Sequence, residues 1–260
     1  MKLMCLNIWG GCRGPEFFDY LKQLAPQTDF FCFQEVFRSS QSAQGRDFVG
    51  HPQVWSELKE CLRGHKGFFE MTSKNHDLIK PIDFDVESGQ AIFVKKNFQV
   101  KSFDCTGIYG KKGESFNPSV TNLPTALQSV QVAIGGKNLS IYNFHGIAYP
   151  GDKLDTPERV SQSEEILKSV SKVSEPKILC GDFNLMPETQ SINILGQTMK
   201  DLIKEFKIEN TRNEISWGMY NNKQYFADFT FVSPDIIVEN FKVPYNLVSD
   251  HLPMILEFSL

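Results

Sequence analysis

Polar residues able to bind a metal ion or a phosphate recur at the carboxyl ends of short apolar runs, and no other feature of this chain limits its fold so tightly. Leu3-Met4-Cys5-Leu6 ends at Asn7, Phe30-Phe31-Cys32-Phe33 at Gln34-Glu35, Ile141-Tyr142-Asn143-Phe144 at His145, and Ile178-Leu179-Cys180 at Gly181-Asp182-Phe183-Asn184. Asp228 interrupts the run from Phe226 to Val232, and Ser249-Asp250-His251 stands ahead of the last run, Leu252 to Phe258. Short apolar runs bounded by turn-forming residues read as buried strands. Taken singly, each junction has an ordinary explanation: an Asn starts a turn, a Glu faces water, an Asp-Phe-Asn run bonds its own backbone. Six junctions in one chain favour a different reading, in which rigid strand ends aim their side chains at one cleft.

The same reading gives strands over Lys2 to Ile8, Asp29 to Gln34, Gln90 to Val94, Ala126 to Ile134, Leu139 to Phe144, Lys177 to Cys180, Phe226 to Val232 and Leu252 to Phe258. Gly135-Gly136 supplies a hairpin turn between two of them. Phe17, Phe18, Leu21 and Leu24 predict a helix over Pro15 to Leu24. Thr156-Pro157-Glu158, a cap, a first-turn proline and an acid, opens another over Arg159 to Val173. Antiparallel-looking strand pairs with interspersed helices predict an α/β fold, two sheets packed together with helices outside. No linker, repeat or low-complexity tract divides the chain, so residues 1–260 read as one domain. The polar loops Arg38 to Pro52, Thr72 to Ser88 and Gly107 to Pro124 have a length that is more often functional than accidental.

A net charge of −4 excludes a protein coated in basic surface for tight, unspecific nucleic-acid binding, and leaves room for a local basic groove. The cysteines, Cys5, Cys12, Cys32, Cys61, Cys105 and Cys180, contain no CxxC pair and no short even spacing, so they read as reduced thiols. Cys5, Cys32 and Cys180 lie in core strands, where a thiol behaves as a small hydrophobe. That predicts a reducing compartment. With no signal-peptide core near Met1 and no membrane-spanning run, the expectation is a soluble, cytoplasmic protein without stable membrane association. No segment implies a protein partner.

The ordered set Leu6-Asn7, Gln34-Glu35-Val36, Asn143-Phe144-His145, Gly181-Asp182-Phe183-Asn184, Asp228 to Ser233 and Ser249-Asp250-His251-Leu252-Pro253 resembles the motif series of the endonuclease/exonuclease/phosphatase superfamily. Arg159 and Gln162 are also similar to that family's pattern, more weakly. The resemblance runs from residue 6 to residue 253. It implies a four-layer α/β sandwich, two central mixed β-sheets flanked by α-helices, with the site at one edge between the sheets. It also implies a phosphohydrolase using magnesium, or manganese in its place. Glu35 would be the principal metal ligand with Asn7 and Asp250 in support, a set of hard oxygens that suits magnesium. Asp182 would orient and deprotonate the attacking water, and Asn184 would hold Asp182 or a phosphate oxygen. His251 would face the phosphate with Asp228 orienting it, and His145 would act near the leaving oxygen as a proton donor. Whether Asp182 or His251 is the base stays open at this point.

Within the family, reaction type carries over better than substrate. The first expectation is a nuclease acting on a phosphodiester of DNA or RNA. Lys95, Lys96, Lys101, Lys111 and Lys112 form one basic stretch, and Trp217, Tyr220 and Tyr225 offer rings for stacking on bases. The alternative is a phosphoesterase acting on an inositol phosphate, a phospholipid or a sphingomyelin head group. A third, of a different class, is a catalytically inactive binding module, against which the intact Glu35, Asp182, Asn184, Asp250 and His251 argue.

Overall fold

The computed structural model describes residues 1–115, 122–174, 176–217 and 224–260 in full, and the backbone alone of 218–220. Along the chain lie β1 (Lys2–Asn7), α1 (Pro15–Leu24), β2 (Phe30–Arg38), α2 (Val54–Cys61), β3 (His65–Lys74), β4 (Glu87–Lys95), β5 (Gln99–Tyr109), β6 (Glu114–Ser115) and β7 (Thr125–Ile134). They are followed by β8 (Lys137–His145), α3 (Pro157–Val170), β9 (Lys177–Asp182), α4 (Gln190–Gly196), β10 (Lys200–Asp201), α5 (Leu202–Glu205), α6 (Glu214–Tyr220), β11 (Asp228–Val232), β12 (Ile237–Lys242) and β13 (Met254–Ser259). One sheet has the order β12-β13-β1-β2-β4-β3-β6, the other β10-β11-β9-β8-β7-β5.

Both sheets are mixed and packed face to face, with helices outside them, which is the expected α/β sandwich. The apolar runs show why. In β1 and β2, Leu3, Cys5, Phe30 and Cys32 join the core that also holds the second sheet, whereas Met4, Leu6, Phe31 and Phe33 pack with Phe17 and Leu21 of α1 and Val54, Trp55 and Leu58 of α2. A strand covered on both faces needs an apolar residue at every position, so alternation disappears from its sequence. On the far side, Ile166, Val170, Ile192, Leu195 and Leu202 bring α3, α4 and α5 onto the second sheet. Thr156 caps α3 by accepting from the Arg159 N–H, as its cap-proline-acid opening predicts. Gly135 and Gly136, at φ 56° and 84°, turn β7 into β8 with both residues left-handed, the requirement of a two-residue hairpin.

A polar network is buried between the sheets beneath the strand ends. Gln34 of β2 donates to Asn143 Oδ1 of β8 at 2.5 Å, while Asn143 Nδ2 faces the Phe33 and Ala91 carbonyls and Gln128 Oε1 at 3.0, 3.2 and 3.1 Å. Such amides hold two sheets in one register, because any sliding strands buried donors. All six cysteines are free, with Cys5, Cys32 and Cys180 buried. Of the third long loop, residues 116–121 lie outside the described residues. No helix among the described residues is long and apolar enough to cross a membrane.

Candidate active site

Parallel pairing delivers the strand ends to one edge. β1 runs parallel to β2 with Asn7 opposite Gln34, and β8 parallel to β9 with His145 opposite Asp182. β11 is antiparallel to β9 with Asp228 opposite Asp182, and β13 is antiparallel to β1, so the residues leading into both strands reach the same edge. Asn7, Glu35, His145, Asp182, Asn184, Asp228, Asp250 and His251 are thereby gathered in one cleft.

Local backbone geometry does the aiming. β2 does not end at Glu35; it runs on to Arg38, and its register with β4 shifts between Phe33 and Val36. That bulge puts Glu35 at φ 55° and turns its carboxylate into the cleft. Gly181, at φ 149°, lets β9 approach β8, where a Cβ would stand 1.9 Å from the Phe144 carbonyl oxygen. Gln34 and Asn143 face the inter-sheet network instead of the cleft.

Asp182 is the centre of the group. Its Oδ1 accepts from the Asn184 N–H at 2.9 Å, and its Oδ2 accepts from Asn7 Nδ2 at 3.0 Å. Nε2 of His145 and Nε2 of His251 stand 3.6 and 3.7 Å from the same Oδ2. His251 Nδ1 lies 2.8 Å from Asp228 Oδ2. Asn7 Nδ2 also donates to Glu35 Oε1 at 3.0 Å, while Asn7 Oδ1 takes the Trp9 N–H at 3.0 Å. In this orientation Asn7 braces the two carboxylates through its nitrogen, and its oxygen, which takes the Trp9 N–H, keeps a second lone pair that a cation could use. Asn184 Oδ1 accepts from the ammonium of Lys153, a buried residue that the sequence reading missed, because a lysine in a Pro-Gly-Asp-Lys loop ordinarily faces water.

The charges follow from burial and proximity. Burial, with Asp250 beside it, pushes Glu35 up to about 7 against the Asn7 hydrogen bond. Burial would raise Asp182 too, but His251, His145, Lys153 and Asn7 outweigh it and hold Asp182 down at about 2. Burial opposes a charge on His251, yet Asp228, Asp250 and Asp182 lift it to about 9. Asp228 is itself pushed up by burial despite His251. The shared proton belongs on His251, because that ring faces three carboxylates and Asp228 faces one ring. His145, the most open member, is lowered by burial and is neutral at pH 7.

Two groups of atoms could hold a metal ion. Asp182, Asp228 and His251 bring one ligand atom each within 4.8 Å of one another, but a cation there competes with the Asp228–His251 hydrogen bond. Glu35 and Asp250 are the better fit. They are hard oxygen ligands, and the Glu35 carboxyl is raised by burial first and by the neighbouring Asp250 second, so a cation between the two would offset both.

The expected basic stretch is divided. Lys95 pairs with His65 at the end of β4, its N–H bonds the Asp29 carbonyl just ahead of β2 and its ammonium bonds the Pro26 carbonyl, at the opposite end of β2 from Glu35. Lys101 precedes Ser102, which pairs with Gln131 toward the hairpin end of β7, and Lys112 is paired with Glu70. Tyr225 is exposed and packs edge-on against Trp217, ring centres 5.0 Å apart; the Tyr220 side chain lies outside the described residues.

Comparisons with known proteins bear on the fold and the family. Residues 4–251 match the family model of the Endonuclease/Exonuclease/phosphatase family. A family protein from Leptotrichia buccalis superposes with a TM-score of 0.73 at 18% identity, over 100% of both chains. The mannosyl-6-phosphatase of Bacteroides thetaiotaomicron superposes with a TM-score of 0.67 at 16% identity, over 100% of both chains. The human Nocturnin catalytic domain with bound sulfate gives 0.65 at 20% identity, over 100% of this chain and 93% of that one. No match is found among curated proteins. The match over residues 4–251, nearly the whole sequence, establishes that the chain belongs to the endonuclease/exonuclease/phosphatase family, whose enzymes are divalent-metal-dependent hydrolases of phosphate esters.

Proposed function

We propose that this chain hydrolyses a phosphate ester with water, Asp182 orienting the water and taking its proton. The observation that carries the reading is the surroundings of Asp182 Oδ2, with Asn7 at 3.0 Å and the two imidazoles at 3.6 and 3.7 Å. Separations of that size exceed direct hydrogen bonds and suit groups bridged by an oxygen atom. His251, charged at neutral pH, cannot accept the proton, so it donates from Nε2 to a phosphate oxygen while Asp228 fixes its tautomer. The base left open by the sequence is therefore assigned to Asp182. With its low pKa Asp182 is a weak base, which is tolerable because phosphoryl transfer depends more on position and charge than on proton abstraction. His145 offers an uncharged N–H toward the departing oxygen, and Asn184 fixes Asp182 through its backbone N–H. Glu35 and Asp250, with Asn7 in support, would hold a magnesium or manganese ion, which would supply neutralisation of the charge that builds up on the ester.

For the substrate, the divided lysines weaken the reading of a polynucleotide track and favour a compact phosphate ester. A nucleic-acid substrate keeps one supporting observation, the exposed Tyr225 beside Trp217. The deciding experiment presents purified protein and magnesium or manganese with bis(4-nitrophenyl) phosphate, sugar phosphates, inositol phosphates, sphingomyelin vesicles, abasic duplex and single strands. Metal-dependent turnover of small esters ahead of strands is expected. Preferred strand cleavage would return the substrate to nucleic acid, and no turnover of any ester would end the hydrolase reading.

A further inference from the structure

In the loop between His145 and α3, Asp152 and Leu154 are exposed while Lys153 between them is 6% exposed. Lysine is among the residues least often buried without a partner. Its backbone sits at φ 59°, a left-handed conformation that turns this side chain inward. The Lys153 ammonium donates to Asn184 Oδ1, and the Lys153 carbonyl accepts the Met186 N–H at 2.9 Å. The acids of its own loop are engaged elsewhere. Asp152 faces Arg159 at 3.6 Å, and Asp155 accepts from the Ser191 hydroxyl and the N–H groups of Gln190 and Ser191.

Arg212 is a second buried cation on this wall, 4% exposed, its backbone bridged to that of His251. Nη1 donates to the Gln224 carbonyl at 3.2 Å, and Nε has no partner among the described residues. It is near enough to Lys153 to work against that residue's charge. Among the described residues neither side chain forms an ion pair with a carboxylate, although Lys153 bonds Asn184 next to Asp182 and the backbone of Arg212 is bridged to that of His251. Buried cations left in this state suit an anion that does not belong to the chain.

We propose that Lys153 and Arg212 form an anion subsite that grips the non-bridging oxygens of a dianionic phosphate, so that the preferred substrate is a phosphate monoester. The inference rests on the hydrolase reading above and names its substrate class. An internal diester carries one negative charge, whereas a monoester near pH 7 approaches two, and two extra cations match the second charge. In hydrolysis the water oxygen bonds to phosphorus as the ester P–O bond breaks. One proton of the water passes to Asp182 and from there to solvent, the leaving oxygen takes a proton from solvent, and an alcohol and inorganic phosphate, which keeps the water's other proton, are released. A terminal phosphate has the same chemistry on a sugar or at the end of an oligonucleotide.

The test measures kcat/KM for 4-nitrophenyl phosphate and bis(4-nitrophenyl) phosphate with magnesium, and inorganic phosphate binding by calorimetry, in wild type, Lys153→Met and Arg212→Met. The monoester-to-diester ratio should fall at least tenfold in each variant, and phosphate affinity should fall by a similar factor. Lys153→Arg and Arg212→Lys should recover part of both, and they keep the test valid if a methionine variant fails to fold. Arms with glucose 6-phosphate and a 5′-phosphorylated oligonucleotide separate a small substrate from a strand end, and preference for either over its diester counterpart supports the subsite. An unchanged ratio or unchanged phosphate affinity in folded variants overturns it. Wild type that binds phosphate through Lys153 but hydrolyses neither ester would instead overturn the hydrolase reading alone.

Discussion

Replacing Asp228 by Asn removes one charge from the His251 environment while keeping shape and an oxygen that can accept the Nδ1 proton. His251 is lifted from an ordinary 6.5 to about 9, with burial working against it and Asp228 the foremost of three carboxylates working for it. The net rise of about 2.5 units corresponds to roughly 3 kcal/mol of preference for the charged ring, at about 1.4 kcal/mol per unit. Asp228 lies at 2.8 Å, against 3.7 and 3.9 Å for Asp182 and Asp250, so the largest share belongs to it. Asp228→Asn should therefore lower the His251 pKa by more than one unit. The sign for stability follows: a raised folded pKa contributes stability that is complete below pH 6.5 and is lost as pH rises through about 9. Metal-free wild type should lose thermal stability across that window, and the variant should lose less. The assay is an NMR titration of the imidazole in chelator, with melts from pH 6 to 10. A wild-type His251 titrating near 6.5, or a variant within half a unit of wild type, would refute the electrostatic account.

Chelation by EDTA should abolish turnover, with magnesium or manganese restoring it; full activity in chelator would remove the metal from the reaction. Glu35→Ala should weaken metal binding and lower turnover on the order of a hundredfold, whereas the exposed Glu188→Ala should do little; equal effects in a metal titration would count against Glu35. Asp182→Asn and His251→Ala should each lower turnover by roughly a hundredfold or more, with the double mutant far from additive, and near-normal turnover in either would sink the assignment. Gly181→Ala forces a Cβ to within 1.9 Å of the Phe144 carbonyl oxygen and should cost on the order of 3 kcal/mol or more in denaturant unfolding; an unaltered midpoint would show that β8 and β9 can separate there.

The strands legible in the sequence are chiefly those buried on both faces. β1, β2, β4, β7, β8, β9, β11 and β13 all answer to predicted runs, because a covered strand must be apolar throughout. Of the strands no run marked, β5, β6, β10 and β12 sit at the edges of the two sheets, and β3 has β6 beside it only at Ser73 and Lys74. β5 exposes most of its length, so its sequence carries too few apolar residues to mark it. α2 lacks a side-chain cap and spans Val54–Cys61, which leaves neither a start signal nor much periodicity. The eight cleft residues were legible because each stands beside an apolar run. Lys153 and Arg212 were not, since nothing local distinguishes a lysine folded inward from one facing water.

Backbone strain explains the same division. Among the described residues, the non-glycine positions with left-handed φ are Trp9, Glu35, Asn75, Lys153, Asn184 and Lys207, and four of these six lie in or beside the cleft. Each such position costs on the order of 1 to 3 kcal/mol unless its surroundings enforce it. Here they do: the bulge in β2 enforces Glu35, the Ala227 carbonyl and Asp182 Oδ1 both take the Asn184 N–H, and the Met186 N–H holds Lys153. Glycine would adopt these conformations at lower cost, so what the strain provides is a side chain at each position. The three side chains lie around the Asp182 carboxylate, Glu35 linked to it through Asn7, and Lys153 held by the amide oxygen of Asn184, whose backbone N–H bonds Asp182. The strained positions are therefore grouped around the carboxylate proposed to hold the water, and Lys153, of the proposed anion subsite, is one of them.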